Sequence, residues 1–522
     1  MVPPVPVKRD DNFWQPALGL AVFLWEIKQI RKIVLKKRYK GLIIYAIVPK
    51  WAHYVSRRKG ESALSIYKRA LALTMKGRGK PVSATKLIAV IFLAIICVGT
   101  CLLMLPAASR EGNRCTFLQA LFTATSATCV TGLTPFDTWS QWSGFGQTVL
   151  LCLIEIGGLG FMSAATLVIF LFRRKVGLKQ RMIMAQALSL NEMNGVVKLQ
   201  RTVLIGSLSM EALGALILTC WFWPKYGFTN ALRWGVFHSV SAFCNAGFDI
   251  FGELAPGSSL QLFQNDPVVL LTLGTLGVVG GLGFLVWEDM AEKRSFRKLT
   301  VYSKLVLSAT ISLLLAGWVL TCVLEWNNPE TLGNMPVWQK LLNGLFQSIT
   351  LRTAGFDALN QGGLTEGGKA VAMVFMIIGG SSGSTAGGLK TVTVLVLLLF
   401  IASRARGRSS VTVYHRTIPN AQVMNAMTIS LIMIVLAMFG GIVISATSPV
   451  GFTDALYEAV SALGTVGLTA GATGLLSVPA QLVIIIFMYF GRVGVLTISL
   501  GFLMGNQAVE RFRYAETSLL IG

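Results

Sequence analysis

The chain has 522 residues, of which 53% are hydrophobic and only 13% are charged, and its formal net charge is +23. This hydrophobic share exceeds what the core of a soluble domain requires, so the composition excludes a soluble enzyme and predicts an integral membrane protein. The positive charge alone would suit a nucleic-acid-binding protein, but we expect no nucleic-acid partner for a chain held in a lipid bilayer.

The N-terminal region is strongly basic. Residues 1–86 hold 19 Lys or Arg and four Asp or Glu. The apolar pieces of this region, residues 18–25 and 41–48, are too short to cross a membrane. We therefore expect residues 1–84 to form a basic cytoplasmic arm that lies against anionic lipid headgroups or an acidic partner.

Eight later runs are apolar over a length that can cross a bilayer, which predicts eight transmembrane helices with both termini on one side. Linkers 173–201, 292–304 and 402–416 together hold 16 Lys or Arg against two acids. Because short cytoplasmic loops carry the basic excess, we expect these linkers and both termini in the cytoplasm of a multi-pass cell-membrane protein. The eight runs are 86–107, 148–172, 202–223, 268–287, 305–324, 370–402, 426–446 and 481–504.

A short stretch that ends in Gly recurs four times, at Gly132, Gly247, Gly355 and Gly467. In three copies a Ser precedes this Gly by six residues, whereas the third copy is one residue shorter. Each copy follows an amphipathic segment that is long enough for a helix entering the membrane halfway but too short to cross it. These segments are 117–127, 231–242, 337–350 and 453–463.

This pattern predicts an all-α integral membrane protein with four pseudo-repeats around one central pore. Each repeat is expected to contain a span, a re-entrant pore helix with a filter loop, and a second span, which makes eight transmembrane helices. The predicted repeats are 85–200, 201–303, 304–420 and 421–522, the last including the C-terminal tail.

The four loops predict a path for a monovalent cation. Rings of backbone carbonyls can replace the water around such an ion, and the negative C-terminal ends of the pore helices favour a cation nearby. Asp137, Asp249 and Asp357 follow the loops and are expected to be solvated. The predicted filter residues are Thr128, Cys129, Val130, Thr131 and Gly132; Cys244, Asn245, Ala246 and Gly247; Arg352, Thr353, Ala354 and Gly355; and Gly464, Thr465, Val466 and Gly467.

The second span of repeat three contains a Gly-rich run, residues 379–391. It should unwind there, because each Gly costs a helix about 1 kcal/mol relative to Ala. A phosphate-binding loop is a weak alternative, since Leu389 stands where the Lys of GxxxxGK[ST] would be.

Three charged residues lie inside predicted spans. Arg492 is expected to face the interior of the helix bundle, because a charge in a lipid-facing position is costly. The sequence assigns no partner to Glu155 or Glu211.

Smaller features favour structural roles. The matching Gly pairs 157–158 and 280–281 indicate close helix packing more than contact with a permeating ion. The eight Cys and three His are scattered, which supports neither a disulfide framework nor a zinc site.

The four Gly-centred loops, the 379–391 run and the Gly491-Arg492-Val493-Gly494 motif resemble the Trk/Ktr/HKT superfamily of potassium transporters over residues 85–522. The tail from Glu510 to Gly522 is similar to that of the membrane (pore) subunit of bacterial Ktr potassium uptake systems. The resemblance implies potassium uptake, a homodimer with one pore per subunit, and a cytoplasmic nucleotide-binding regulatory ring.

The resemblance also implies that an intramembrane gate lies below the filter, with the Arg beside it. The implied gate residues are Gly379, Gly380, Ser381, Ser382, Gly383, Ser384, Thr385, Ala386, Gly387, Gly388 and Arg492.

Two other classes of membrane protein fit the sequence less well. An ATP-driven pump or other membrane enzyme would need a soluble nucleotide domain, for which no linker is long enough, so the chain is expected not to be an enzyme. A secondary carrier for sodium, another monovalent cation or a small solute would use discontinuous helices, but such a site usually involves two of them rather than four. Coupling of the flux to sodium stays open.

Overall fold

Helices make up nearly all the regular structure in the part of the chain that the structure describes. The structure is a computed structural model that describes residues 84–110, 113, 115–160 and 196–494. The predicted basic arm, most of the 173–201 linker and the C-terminal tail lie outside these residues.

The first repeat contains α1 (Ala84–Leu103), α2 (Phe117–Cys129), the short α3 (Thr138–Gln141) and α4 (Gly144–Gly158). The helix α2, which the sequence predicts as a pore helix, starts at a capping box in which the Thr116 N–H donates to Oε1 of the glutamine three residues later, at 3.0 Å. Its C-terminal half is buried. The predicted pore helix of repeat one is therefore confirmed as a helix, and the continuation of its second span lies outside the described residues.

The second repeat contains α5 (Val196–Tyr226), α6 (Phe228–Phe243), α7 (Pro267–Gly281) and α8 (Phe284–Lys293). The prediction of one continuous span over 268–287 is wrong, because α7 and α8 meet at an angle of 93°. Gly283 has a φ of +94°, which an α-helix cannot contain, so the chain turns there.

The third repeat contains α9 (Val301–Glu325), α10 (Val337–Thr350), α11 (Glu366–Ile377) and α12 (Thr391–Ala405). The predicted unwinding of the Gly-rich run is confirmed, because α11 ends before it and α12 begins only at Thr391. We call residues 378–390 the glycine-rich loop.

The fourth repeat contains α13 (Asn420–Thr447), α14 (Phe452–Gly464) and α15 (Val478–Val493). A small antiparallel hairpin, β1 (Thr412–Val413) and β2 (Arg416–Thr417), precedes it. Short 3-10 helices lie at Pro106–Ala108, Phe251–Glu253, Gln261–Phe263, Phe296–Lys298 and Thr473–Leu475.

Membrane-length helices are fewer than the eight predicted runs. Among the described residues, α5, α9 and α13 are long and apolar enough to cross a bilayer, and the bent pair of α7 and α8 would make a fourth span. The other predicted runs correspond to shorter apolar helices, at Leu87–Leu103, Gly144–Gly158, Thr391–Ala405 and Val478–Val493.

Burial separates an inner group of helices from an outer group. The pore helix α14 is buried from Tyr457 to Gly464. By contrast, the long α13 exposes Leu431 by 64% and Val435 by 58%. Large apolar side chains on an outer helix suit contact with lipid, so this arrangement agrees with an integral membrane protein.

Candidate functional site

The four recurring glycines lie next to one another and form a ring, which we call the glycine ring. A Cβ built on Gly247 would lie 2.7 Å from the Cα of Gly355, and one built on Gly132 would lie 3.3 Å from the Cα of Gly247. A Cβ on Gly467 would lie 3.0 Å from the Cα of Gly132, and one on Gly355 would lie 2.5 Å from the carbonyl oxygen of Val466. The structure thus brings the four predicted filter loops together in chain order.

Carbonyl oxygens of the loops face the ring. The oxygen of Ala246 would lie 2.6 Å from a Cβ on Gly132, and the oxygen of Thr131 would be in direct contact with a Cβ on Gly467. Together with Val466, three of the residues that immediately precede a ring glycine therefore place their carbonyls beside the neighbouring loop.

The same backbone conformation recurs in all four loops. Each ring glycine has a positive φ, between +68° at Gly247 and +99° at Gly132. The residue two positions earlier is also left-handed, although it is not a glycine. These residues are Val130 (φ 57°), Asn245 (φ 59°), Thr353 (φ 69°) and Thr465 (φ 51°). Residues other than glycine rarely adopt this backbone conformation, so its fourfold recurrence indicates that the surroundings enforce it.

A hydroxyl near the end of each pore helix holds the loop that follows. Ser126 Oγ accepts from the N–H of Gly132 at 3.0 Å, and Ser461 Oγ accepts from the N–H of Gly467 at 3.1 Å. Ser241 Oγ donates to the carbonyl of Phe248 at 2.7 Å. These are the three Ser residues that the sequence places six positions before the glycine.

In repeat three, Thr350 takes the place of that Ser. Its hydroxyl accepts from the N–H of Phe356 at 2.9 Å, and its carbonyl accepts from the N–H of Ala354 at 3.1 Å. The N–H of Ala246, which also precedes a ring glycine, reaches back five residues to Ser241, whereas that of Ala354 reaches back only four. The missing residue in the third copy is thus absorbed between Thr350 and Gly355, a correspondence that spacing alone did not identify.

Buried polar side chains on three pore helices fix the segments that leave the ring. His238 Nε2 accepts from the N–H of Ile250 at 3.2 Å, and Gln347 bonds Gln361 at 2.7 Å. Glu458 accepts from the hydroxyls of Thr469 and Thr473, the latter at 2.8 Å. Each of the three directly follows the aromatic residue of its repeat (Phe237, Phe346 or Tyr457), which is the signal that could have identified them. His238 is structural, as predicted.

The acids beyond the ring are less solvated than predicted. Burial, together with the neighbouring Asp137 carboxylate, raises the pKa of Asp249 to about 7. Burial and the carboxylates of Asp249 and Glu458 raise the pKa of Asp357 well above its ordinary value. Of these two acids, Asp249 therefore titrates near neutral pH, and the pKa of Asp357 is raised in the same direction.

Two predicted filter residues point their side chains away from the ring. Cys244 Sγ lies 3.5 Å from Glu155 Oε2 and 3.9 Å from Glu211 Oε1, so both intramembrane acids have a partner. Arg352 donates to the Thr391 hydroxyl at 3.2 Å, at the first residue of α12. The side chains of these two residues are thus excluded as ring ligands, and only their backbone can serve.

The matching Gly pairs allow close packing, as predicted. A Cβ on Gly157 would contact the carbonyl oxygen of Thr128, and one on Gly280 would contact that of Phe243. Both contacts bring a second-span helix against the end of a pore helix.

The glycine-rich loop is held between the broken ends of other helices. The N–H groups of Ser381 and Thr385 donate to the carbonyls of Gly281 at 3.0 Å and Gly280 at 3.2 Å. Gly387 packs against the side chain of Thr465, which belongs to the fourth predicted filter loop. The loop therefore adjoins the glycine ring.

Arg492 faces the protein interior, as predicted. Its guanidinium donates to the carbonyls of Gly157 at 2.5 Å and Gly158 at 2.8 Å, and also to the carbonyl of Thr385 in the glycine-rich loop. It thereby joins α4, α15 and the loop. These contacts exclude an Arg that extends to the membrane surface.

Comparisons with known proteins agree with this geometry. The family described as "TrkH: Cation transport protein" matches residues 63–510. The potassium/sodium uptake protein NtpJ of Enterococcus hirae is 39% identical over 448 residues, which cover 85% of this chain and 98% of that protein. The Ktr system potassium uptake protein B of Bacillus subtilis is 36% identical over 437 residues, covering 84% and 96%.

A solved structure shares the fold. The crystal structure of the potassium transporter TrkH from Vibrio parahaemolyticus has a TM-score of 0.65 and 16% identity, covering 89% of this chain and 97% of that one. The relatives are transporters, which confirms the prediction that the chain is not an enzyme. By its match over most of its length, the chain belongs to the TrkH family of cation transport proteins.

Proposed function

We propose that this chain takes up potassium across the cell membrane through a path whose narrowest part is the glycine ring. The observation that carries the proposal is the meeting of four loops with one backbone conformation, each bringing carbonyl oxygens beside the next. Carbonyl dipoles can replace the hydration of a monovalent cation, and the C-terminal ends of four pore helices add negative potential. The relatives named for potassium uptake support the choice of ion.

The glycine-rich loop is the gate in this proposal. It adjoins the filter loops through Gly387 and Thr465, and its N–H groups at Ser381 and Thr385 hold it to α7 by hydrogen bonds that a small shift can break. Arg492 holds the loop and adds a positive charge beside the path, which raises the barrier for a cation.

The wider assembly completes the proposal. The four repeats supply eight spans with both termini in the cytoplasm, and two copies of the chain form a homodimer. A cytoplasmic nucleotide-binding ring regulates the gate. The Ktr system name of the Bacillus subtilis relative supports association with further components.

Sodium is the second ion to test, because the Enterococcus hirae relative is named for both potassium and sodium. The purified chain is reconstituted in proteoliposomes, and uptake of rubidium or potassium is measured at several sodium concentrations. We expect saturable potassium uptake that sodium does not abolish by competition. Uptake of sodium alone, with no potassium uptake at any sodium concentration, would contradict the proposal and favour the carrier alternative.

A further inference from the structure

The bend between α7 and α8 continues into a segment that overlaps the linker predicted to be cytoplasmic. We call residues 282–302 the elbow; it contains α8 and the start of α9. Asp289 on α8 accepts from the N–H of Thr300 at 2.8 Å and from its hydroxyl at 2.9 Å, and it pairs with Lys293 at 2.7 Å. Asp289 therefore joins the two helices.

The Asp289 carboxylate stays charged at neutral pH. Burial by itself would raise its pKa, but hydrogen bonds from Lys293, Ser303 and Thr300 outweigh burial and hold the pKa well below its ordinary value. The joint between α8 and α9 is thus a charge-assisted network, and such networks keep their geometry better than single neutral hydrogen bonds.

The elbow donates hydrogen bonds to two successive carbonyls of the glycine-rich loop. The N–H of Phe284 donates to the carbonyl of Gly383 at 2.9 Å, and the hydroxyl of Tyr302 donates to that of Ser382 at 3.1 Å. The first contact comes from α8 and the second from α9. Because Asp289 fixes these helices to each other, the two donors move as one body.

The helix α7, which is the other half of the bent pair, also forms hydrogen bonds with the glycine-rich loop. The carbonyls of Gly280 and Gly281 at the end of α7 accept from the N–H groups of Thr385 and Ser381. The loop therefore bridges the 93° bend between α7 and α8. Any change in that angle must stretch or break one of the two sets of hydrogen bonds.

The outer surface of the elbow is accessible. Met290 is 43% exposed and Phe296 is 53% exposed, and Arg297 and Lys298 beside them are also exposed. A force applied here can reach the loop through the two hydrogen bonds from Phe284 and Tyr302 and through the contact of Gly283 with Ser382.

We propose that Tyr302 is a positioning residue for the gate, and that the elbow carries cytoplasmic movement to the glycine-rich loop through the Tyr302 hydroxyl and the Phe284 N–H. This inference rests on the proposed role of the loop as a gate. When the elbow tilts relative to α7, the carbonyls of Ser382 and Gly383 follow it, and the loop leaves the path below the ring.

The test uses Tyr302→Phe, which keeps the ring and removes only the hydroxyl. The full chain is reconstituted alone in proteoliposomes, and rubidium flux is measured without any regulatory partner. One neutral hydrogen bond corresponds to about a two- to tenfold change in an equilibrium, so we expect basal flux to rise about two- to tenfold. The ratio of potassium to sodium flux should not change, because the ring is untouched.

Tyr414→Phe is the matched control, because it removes a hydroxyl from an exposed Tyr of the hairpin that contains β1 and β2. It should leave flux unchanged. As a second readout, hydrogen exchange of the amides from 381 to 388 should accelerate in Tyr302→Phe and not in the control. A variant that loses fold stability shows this as exchange throughout the chain rather than in the loop.

A comparison with Arg492→Ala separates the possible failures. If Arg492→Ala raises flux while Tyr302→Phe changes neither flux nor loop exchange, the proposed role of the elbow is wrong. The proposed gate is then still supported. If the unmodified chain carries no potassium at all, the proposed function fails first. If both variants raise flux, the increase in the double variant should be smaller than the product of the two separate increases, because both substitutions release the same loop.

Discussion

The glycine ring and the glycine-rich loop differ in part in what surrounds their glycines, although Gly379 and Gly388 of the loop also lie against backbone atoms. In the ring, each glycine sits against backbone atoms of another loop, and the close neighbours of Gly247 all belong to Gly355. In the glycine-rich loop, Gly387 and Gly380 have side chains, those of Thr465 and Ala386, as their closest neighbours. Backbone atoms cannot move without the rest of their loop, whereas the Thr465 side chain beside Gly387 can rotate.

Their hydrogen bonds differ in the same sense. The proposed filter loops are bonded to the helices that precede them over six or seven residues, as with Ser126 and Gly132. The glycine-rich loop depends on donors from distant elements, such as Arg492, which is 107 residues from Thr385. Local ties make a fixed structure, while ties between separate helices change when those helices move. The contrast predicts that substitutions in the ring damage selectivity and those around the loop change the open fraction.

The largest expected effect comes from Gly247→Ser and Gly355→Ser. A left-handed φ costs a residue with a Cβ about 1–2 kcal/mol, and here the Cβ would also lie 2.7 Å (at Gly247) or 2.5 Å (at Gly355) from the backbone of a neighbouring loop. We expect potassium uptake, or its preference over sodium, to fall by about tenfold or more. Ion competition in proteoliposomes measures both quantities.

Gly257→Ser separates strain from ring contact. Gly257 has a φ of +74° but nothing within 4 Å of its Cβ position, so this variant introduces the same backbone strain away from the ring. It should keep its selectivity. Equal loss of selectivity in the ring variants and in Gly257→Ser would mean that the glycine ring is not the filter.

The second expected effect is on the gate, in Arg492→Ala. Removing the guanidinium frees the carbonyl of Thr385 and takes a positive charge away from the path. Hydrogen bonds to charged groups are worth about 1.5–3 kcal/mol, so we expect basal flux to rise by about tenfold with selectivity retained. Deleting residues 381–386 should act in the same direction.

Arg233→Ala is the control for Arg492→Ala, because Arg233 pairs with Glu253 at 2.5 Å on a half-exposed surface instead of in the interior. It should leave flux unchanged. The fraction of folded protein in detergent is measured for every variant, since Arg492 links three elements. Well-folded Arg492→Ala and 381–386 deletion variants that both keep wild-type flux would mean that the loop is a packing irregularity and not a gate.

Much of this contrast was predictable from sequence, because it depends on repetition and composition. Four copies of one pattern predicted four loops at one place, and the density of Gly in the 379–391 run predicted a break in a helix. The bend at Gly283 was not predictable. The Gly residues before it serve close packing and Gly283 serves a left-handed turn, and a Gly in the sequence looks the same in both roles.

Partners that are remote in the chain were also beyond the sequence. Glu155 is 89 residues from Cys244, and Arg492 is 334 residues from Gly158. Spacing rules apply within one helix or turn, so they carry no information on such contacts. The role of Thr350 needed the structure for another reason, because a one-residue deletion can be placed at several points of an alignment.

The smallest expected effect extends the comparison to the outer side of the ring. The pKa of Asp249 is raised to about 7, first by burial and then by the Asp137 carboxylate, so this carboxyl is neutral below that pH and negative above it. A negative charge near the outer end of the path attracts cations, and solvent screening limits the gain to about two- to threefold. Potassium uptake from a low external concentration should therefore increase as the external pH rises through about 7.

In Asp249→Asn the side chain cannot ionise, so uptake should stay at the low-pH level and lose most of this dependence. Because Asp357 also has a raised pKa, uptake by that variant should keep a weaker dependence on external pH. The internal pH is held constant, so that only groups in contact with the external solution titrate. If the external pH response persisted in full in Asp249→Asn, the titrating group would lie elsewhere, and the outer carboxyls would have only a structural role.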